Sequence, residues 1–140
     1  MFESHFAVPM TGAVLNTINT RLDADTVAYI LEFGNAKALI MDRELFPLVE
    51  KALAKIDLKP VLILIDDETA EVKPSVDLDV IDYEDLVKSG DPDFNFLQLE
   101  DEWQSLALNF TSGTTGRPKG VVYHHPVSYT HLTLPTIYSV

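Results

Sequence analysis

The stretch from Thr111 to Gly120 gathers small, hydroxylated and cationic residues in one short run, TSGTTGRPKG. Glycines in such a run let backbone N–H groups approach an anion, hydroxyls add further donors, and Lys119 supplies a compact positive charge. This composition predicts a phosphate-binding loop. It is not a Walker A loop, because no Ser or Thr follows Lys119 to hold Mg²⁺. A flexible Ser/Thr/Gly linker is the alternative, although a linker needs neither the Pro-Lys-Gly ending nor a strand leading into the stretch.

The residues that precede this loop alternate between apolar and polar types. Leu106, Leu108 and Phe110 fall on one face of an extended stretch that runs from Trp103 into the loop. Alternation of this kind predicts a half-buried strand. The loop is therefore expected to follow directly on a strand of a sheet.

Upstream, the spacing of apolar residues predicts helices that alternate with strands. In chain order these elements are a helix through Ala7, Met10, Ala13 and Val14, a short strand over 14–17, a helix from a cap at Asp23 or Asp25 to Gly34, a strand over 38–41, an amphipathic helix from Leu45 to Ile56, a strand over 61–65, an extended stretch from Val76 to Val80, and a short helix from Asp82 to Val87 closed by Gly90. This order implies βαβ units with a right-handed crossover and a parallel sheet.

Residues 108–125, from Leu108-Asn109-Phe110-Thr111 to Tyr123-His124-His125, closely resemble the signature of the adenylate-forming superfamily, the acyl-CoA synthetases and their relatives. Residues 5–22, 29–31 and 36–37 look like the N-terminal domain of medium- or short-chain acyl-CoA ligases of the same superfamily. In that family the loop wraps the β- and γ-phosphates of ATP. The resemblance carries this role onto Thr111, Ser112, Gly113, Thr114, Thr115, Gly116 and Lys119.

The resemblance implies an α/β fold, namely a partial parallel-sheet subdomain of the large N-terminal domain of an adenylate-forming enzyme, truncated at both ends. It implies an AMP-forming acid–thiol ligase that uses ATP, Mg²⁺ and coenzyme A to activate a fatty or other small carboxylic acid through an acyl-adenylate. The adenine, ribose and acyl sites and the catalytic lysine are expected downstream of residue 125, so no catalytic residue is assigned here. The alternative is a non-catalytic truncated product or a polyphosphate-binding pseudo-domain.

The tail at residues 126–140 departs from the family pattern, in which Arg-Gly and a helix usually follow His124-His125. Residues 127–136 are what the bases GTC TCT TAT ACA CAT CTG ACG CTG CCG ACG would encode. That string resembles a transposase adapter used to build sequencing libraries, whose continuation would give Val140 and a stop. We therefore expect residues 1–125 to be family sequence that includes the loop 111–120, and residues 126–140 to be a non-native tail. A genuine β-hairpin is the alternative for the tail.

The amino-acid composition of the chain bears on its binding partners and its cellular location. The formal net charge is −12 and the isoelectric point is about 4.5, which argues against nucleic acid as a partner. There is no cysteine, which suits a reducing compartment, and the longest aliphatic run, 61–65, is far too short to span a bilayer. With no basic signal-peptide start after Met1, a cytoplasmic location without a transmembrane segment is expected. The oligomeric state is left open.

Several other residues could pack in the core, bind a metal ion or contact a ligand, but their sequence patterns are less specific. Phe94 and Phe96 are interpreted as side chains that plug the core. The acidic run 66–68 could bind a divalent cation, although solvated charge is the more usual role of such a run. His124 and His125 point to opposite faces of a strand, so at most one could touch a nucleotide, and packing or capping is favoured. Asp42 and Asp66 fall at strand ends, where open α/β sheets place ligands.

Overall fold

The structure is a computed structural model that describes residues 2–67, 69, 78–111 and 116–126. Its elements, in chain order, are α1 (Phe2–Met10), α2 (Ala24–Phe33), β1 (Ala38–Asp42), a 3₁₀ turn (Arg43–Leu45), α3 (Phe46–Leu53), β2 (Val61–Ile65), β3 (Val80–Asp82), α4 (Tyr83–Lys88), β4 (Ser105–Thr111) and β5 (Lys119–His124). The chain divides into two compact units, one of residues 19–93 and one of residues 1–18 and 94–140.

The unit of residues 19–93 is built on a parallel sheet with strand order β1-β2-β3. The central strand is the most buried, since Leu62, Ile63 and Leu64 are each less than a tenth exposed. A strand covered on both faces needs the continuous aliphatic run that the sequence shows at 61–65. The predicted parallel sheet is confirmed, and strands 38–41 and 61–65 lie where the sequence placed them.

The core of this unit forms where α3 packs on the sheet. Phe46 and Val49 of α3 lie against Met41 of β1 and against Leu62 and Leu64 of β2. Helix α2 adds its own buried face, which comprises Val27, Ala28, Ile30 and Leu31. This buried face confirms the helix predicted between Asp23 or Asp25 and Gly34.

The boundaries of α2 are set by local hydrogen bonds. Asp23 is the N-cap, because its carboxylate accepts the backbone N–H groups of Asp25 and Thr26, each at 3.0 Å. Of the two caps considered, Asp23 is therefore the one used. Gly34 closes the helix as predicted, but its φ of −75° is right-handed, and it is Asn35, with φ of +48°, that takes the left-handed conformation. Asparagine tolerates that conformation better than most residues.

The helix predicted over 45–56 is shorter in the structure. Leu45 belongs to the 3₁₀ turn, and α3 starts at Phe46 with Pro47 in its first turn, where a missing N–H costs nothing. At the other end Lys55 and Ile56 donate to carbonyls only three residues back, so the chain tightens after Leu53 instead of extending the α-helix. Helix α4 begins at the predicted cap, Asp82.

The unit of residues 1–18 and 94–140 contains α1 and an antiparallel pair, β4 and β5. The antiparallel pairing was not foreseen from the sequence. The strand predicted over 14–17 is reduced to one parallel bridge between Leu15 and Ala107. The predicted first helix ends at Met10, short of Ala13 and Val14.

The prediction that Phe94 and Phe96 plug the core is wrong for this chain, because their side chains are 55% and 52% exposed. They lie in a segment that forms neither helix nor strand. No helix in the described part of the chain has the length and apolar character needed to cross a membrane.

Candidate functional site

The predicted phosphate loop is the connection of a β-hairpin. Strands β4 and β5 pair in antiparallel register, with Phe110 opposite Gly120 and Thr111 opposite Lys119. Side chains directly opposite one another in such a pair have Cβ atoms about 5 Å apart and share one face of the sheet. The register thus places Thr111 and Lys119 side by side where the two strands lead into residues 112–118.

The described part of the loop is open to solvent. Thr111, Gly116, Arg117 and Lys119 are exposed, and Pro118 is half-buried. Lys119 makes no ion pair with any acidic side chain in the described ranges. A cation so placed is accessible to an anionic ligand. Ser112, Gly113, Thr114 and Thr115 lie outside the described residues.

Gly116 has a backbone conformation that favours glycine. Its φ is +87°, and a Cβ built on it would meet no heavy atom within 4 Å. Glycine is therefore favoured here by the backbone dihedral and not by a close neighbour. This turn precedes Lys119 by three residues and directs the chain into β5.

A segment next to β4 supports the strand on the edge away from β5. The Leu15 N–H donates to the Leu106 carbonyl at 3.1 Å, and the Leu108 N–H donates to the Leu15 carbonyl at 2.8 Å. Two residues further on, the Thr17 hydroxyl donates to the Asn109 side-chain oxygen at 2.7 Å. Strand β4 is thus held along both edges as it approaches the loop.

Sequence reasoning did not include Thr17 and Asn109 in the site. One signal was present in the sequence, because Asn109 is a polar residue two positions before Thr111 and so shares its face of the strand. Its partner could not be read from the sequence, since the two side chains are separated by 92 residues along the chain.

At the far end of the hairpin, His124 packs against Trp103. Their ring centroids are 5.9 Å apart in an edge-on arrangement, and His124 is half-buried. The Nδ1 atom of His124 is buried and has no hydrogen-bond partner in the described part of the chain. This contact agrees with the packing role favoured for one of the two histidines. His125 lines an open groove of about 370 Å³ together with Gly12, Gln104 and Ser105.

The acidic residues at the strand ends of the other unit have structural partners. Asp42 accepts the backbone N–H of Glu44 at 3.0 Å, and Asp66 forms an ion pair with Arg43. Asp67 accepts the hydroxyl of Thr69 at 2.6 Å and its N–H at 2.8 Å, and these bonds, the hydroxyl first, lower the pKa of Asp67. Glu68 lies outside the described residues. Among the residues that the structure describes, no three His, Cys, Asp or Glu side chains are grouped as a metal site.

Comparison with known proteins identifies the family. The model of the AMP-binding enzyme family matches residues 1–136, and the chain belongs to this family. The match extends into the tail, whose non-native origin remains a prediction, as does the boundary at residue 125.

The chain is similar to curated CoA ligases. It is 44% identical over 139 residues to an acetate–CoA ligase of Humulus lupulus, covering 92% of this chain and 24% of that protein. It is 43% identical to a peroxisomal acetate/butyrate–CoA ligase of Arabidopsis thaliana, with the same coverage. The chain thus spans about a quarter of the length of these relatives.

Solved structures show the same fold. A crystal structure of an anthranilate CoA ligase in complex with anthranoyl-AMP matches with a TM-score of 0.73 at 27% identity, covering 91% of this chain and 24% of that one. A long-chain-fatty-acid–CoA ligase of Archaeoglobus fulgidus matches with a TM-score of 0.75 at 21% identity, covering 99% of this chain and 26% of that one. Both comparisons agree with the α/β fold expected from the sequence.

Proposed function

We propose that this chain is the phosphate-binding portion of an ATP-dependent, AMP-forming acyl-CoA ligase. The observation that carries the proposal is the register of the hairpin, which sets exposed Lys119 directly opposite Thr111 at the mouth of the loop. An exposed cation and a hydroxyl beside a glycine turn are the groups that hold the charge of a polyphosphate. The proposed phosphate ligands are Thr111, Ser112, Gly113, Thr114, Thr115, Gly116 and Lys119.

The proposed reaction has two steps. The carboxylate oxygen of the acid attacks the α-phosphorus of ATP, and the bond from that phosphorus to the bridging oxygen breaks to release pyrophosphate. The thiol of coenzyme A then attacks the acyl carbon and releases AMP. Attack by one anion on another is slow unless the phosphate charge is neutralised, and fixed donors around the leaving pyrophosphate lower that barrier. Lys119 and the loop N–H groups supply part of this neutralisation, and Mg²⁺ would supply further positive charge.

Small carboxylates are the proposed substrates. The two plant relatives are named for acetate and for acetate or butyrate. Short aliphatic acids are therefore the first to test, although the acyl pocket is expected outside this chain.

The 140-residue chain by itself is proposed to be catalytically inactive. It spans about a quarter of the length of the ligases it resembles. We propose that the isolated chain can bind polyphosphate but has no ligase activity. Ligase activity is proposed for the complete enzyme that contains it.

The proposed location is the cytoplasm. The absence of cysteine suits a reducing compartment. The Arabidopsis relative is named as peroxisomal, however, so the two locations must be separated by experiment. Fractionation of the tagged complete enzyme between cytosol and peroxisomes makes that distinction.

The test of function is carboxylate-dependent exchange of labelled pyrophosphate into ATP by the complete enzyme, made from the source DNA. We expect exchange that requires a small carboxylate, followed by acyl-CoA formation when coenzyme A is added. Purified, folded enzyme that hydrolyses ATP without any carboxylate dependence would contradict the proposal.

A further inference from the structure

The hydrogen bond between Thr17 and Asn109 is placed where it can control the shape of the phosphate loop. Asn109 precedes Thr111 by two residues, so both side chains lie on the same face of β4 and their Cα atoms are about 7 Å apart. Lys119, opposite Thr111, shares this face. The Thr17–Asn109 bond therefore lies one row of side chains below the Thr111–Lys119 pair.

This bond also supports β4 on the edge away from β5, two residues before Thr111. The backbone bonds of Leu15 hold the strand at Leu106 and Leu108, and the hydroxyl of Thr17 holds it at Asn109. On the opposite edge, β5 holds the strand through to Thr111. Asn109 is thus supported from both edges of β4, two residues before the strand ends.

Partial burial of the Thr17–Asn109 bond makes the loss of either partner costly. Thr17 and Asn109 are both partly buried, so each polar group would lose hydration without gaining a partner if the other were removed. Two apolar side chains at the same positions would pack together but would not fix the orientation of either side chain. A hydrogen bond fixes the orientation of both side chains and, through them, the last residues of the strand.

We propose that Thr17 and Asn109 are positioning residues for the phosphate loop. By holding β4 at Asn109, they keep Thr111 and Lys119 in the geometry that binds the phosphates of ATP. The inference rests on the proposed function. It predicts that loss of the Thr17–Asn109 bond slows adenylation, in which pyrophosphate is bound, more than thiolation, in which it is absent.

The first experiment uses Thr17→Val in the complete enzyme, since valine keeps the branched shape and removes the hydroxyl. We expect the KM for ATP in pyrophosphate exchange to rise about 2- to 10-fold, as loss of one hydrogen bond would produce, with thiolation of preformed acyl-adenylate unchanged. Thr17→Ser should restore the wild-type value. Thr11→Val is the matched control, because the Thr11 hydroxyl donates to the Val8 carbonyl at the end of α1 and, within the described residues, forms no hydrogen bond with β4 or β5.

The second experiment measures the accessibility of the loop independently of activity, by limited proteolysis of the folded complete enzyme. Trypsin cleaves after Lys119 but not between Arg117 and Pro118, because proline follows the arginine. We expect cleavage after Lys119 to accelerate about 2- to 10-fold in Thr17→Val and in Asn109→Leu, relative to cleavage after exposed Lys88. The double variant should be no faster than either single one, since both remove the same bond.

The outcomes separate this inference from the proposed function. If Thr17→Val matches Thr11→Val in the KM for ATP and in cleavage after Lys119, the positioning role is wrong, whatever either change does to thermal stability. If the complete enzyme shows no carboxylate-dependent exchange, the proposed function fails. If Lys119→Ala leaves exchange intact, the phosphate-binding role of Lys119 fails. In either case the cleavage rates still decide whether Thr17 holds the loop.

Discussion

Thr111 and Lys119 are direct partners across an antiparallel hairpin, and the intervening residues form the loop that bears the proposed phosphate donors. Because the two residues pair, Lys119 lies beside the end of β4, where the loop begins. A ligand in the loop would therefore meet the first hydroxyl and the lysine together. This relationship makes the site testable through a few single changes.

Lys119→Ala should depress adenylation much more than thiolation. One charge-assisted contact to a developing phosphate charge is worth roughly 2–4 kcal/mol when it is preorganised, so pyrophosphate exchange should fall about 30- to 1000-fold. Thiolation of preformed acyl-adenylate should change little, because pyrophosphate is absent from that step. Lys119→Arg should restore exchange only in part, since a planar fork replaces a compact ammonium group.

The matched control for this change is Lys88→Ala. Lys88 is also exposed, and its ion pair with Asp85, at 3.1 Å, is of the surface kind that contributes little. We expect it to leave both half-reactions unchanged. Equal losses in both half-reactions for folded Lys119→Ala would show that the lysine acts through general structure.

Gly116→Ala should weaken ATP binding through the backbone. A side chain at a φ of +87° carries a conformational cost of about 1–2 kcal/mol, while space for the methyl group is present. We expect the KM for ATP to rise about 5- to 30-fold and Gly116→Asn to have the smaller effect, because asparagine tolerates positive φ. A larger effect for Asn than for Ala would point to side-chain bulk as the cause.

The N-cap of α2 should give this helix an acid-dependent stability. The backbone hydrogen bond from Thr26, followed by the one from its hydroxyl, lowers the pKa of Asp23 below its ordinary value of 3.8. A group whose pKa is lowered on folding stabilises the native state above its unfolded-state pKa. That contribution is lost as the pH falls through the folded-state pKa.

The measurement is amide hydrogen exchange of Val27, Ala28 and Ile30 as a function of pH. Asp23→Ala should speed exchange at neutral pH, and Asp23→Asn should do so less, because asparagine also caps helices. The difference between wild type and Asp23→Asn should vanish in acid. Asp57→Asn, at an exposed acid outside the helix, is the control and should match wild type throughout. A wild-type to Asp23→Asn difference that grows in acid would contradict the assignment.

The isolated 140-residue chain should expose enough apolar surface to associate. Large exposed side chains in the unit that bears the hairpin are Phe2, Phe6, Phe94, Phe96, Leu97 and Trp103. Large apolar side chains exposed in such number promote association. We expect strong binding of a hydrophobic dye and a broad thermal transition. A soluble monomer with a sharp melt and no dye binding would refute this expectation.

The proposed non-native origin of residues 126–140 can be tested on the DNA. Amplification of the source locus without library adapters should give different codons after His125, beginning with an Arg-Gly type of continuation. Recovery of the present codons from such an independent clone would show that the tail is native.

Local sequence patterns were sufficient for the elements whose residues are neighbours in the chain. Asp23 ahead of an amphipathic run was enough to predict α2, and the aliphatic run at 61–65 was enough to predict a buried strand. The run 111–120 was a candidate phosphate loop because its glycines, hydroxyl groups and lysine are the kinds of group that bind phosphate. In each case the deciding interactions lie within a few residues, where propensity, capping and periodicity act.

The tertiary structure decided what depends on distant partners. The pairing of β4 with β5, which sets Lys119 opposite Thr111, requires a register that alternation alone leaves undetermined. The exposure of Phe94 and Phe96 depends on which elements cover them. The bond from Thr17 to Asn109 joins residues 92 positions apart. The sequence by itself indicated which residues are proposed to bind phosphate. Only the fold showed which side chains contact the strand that leads to them, because those contacts join segments far apart in the chain.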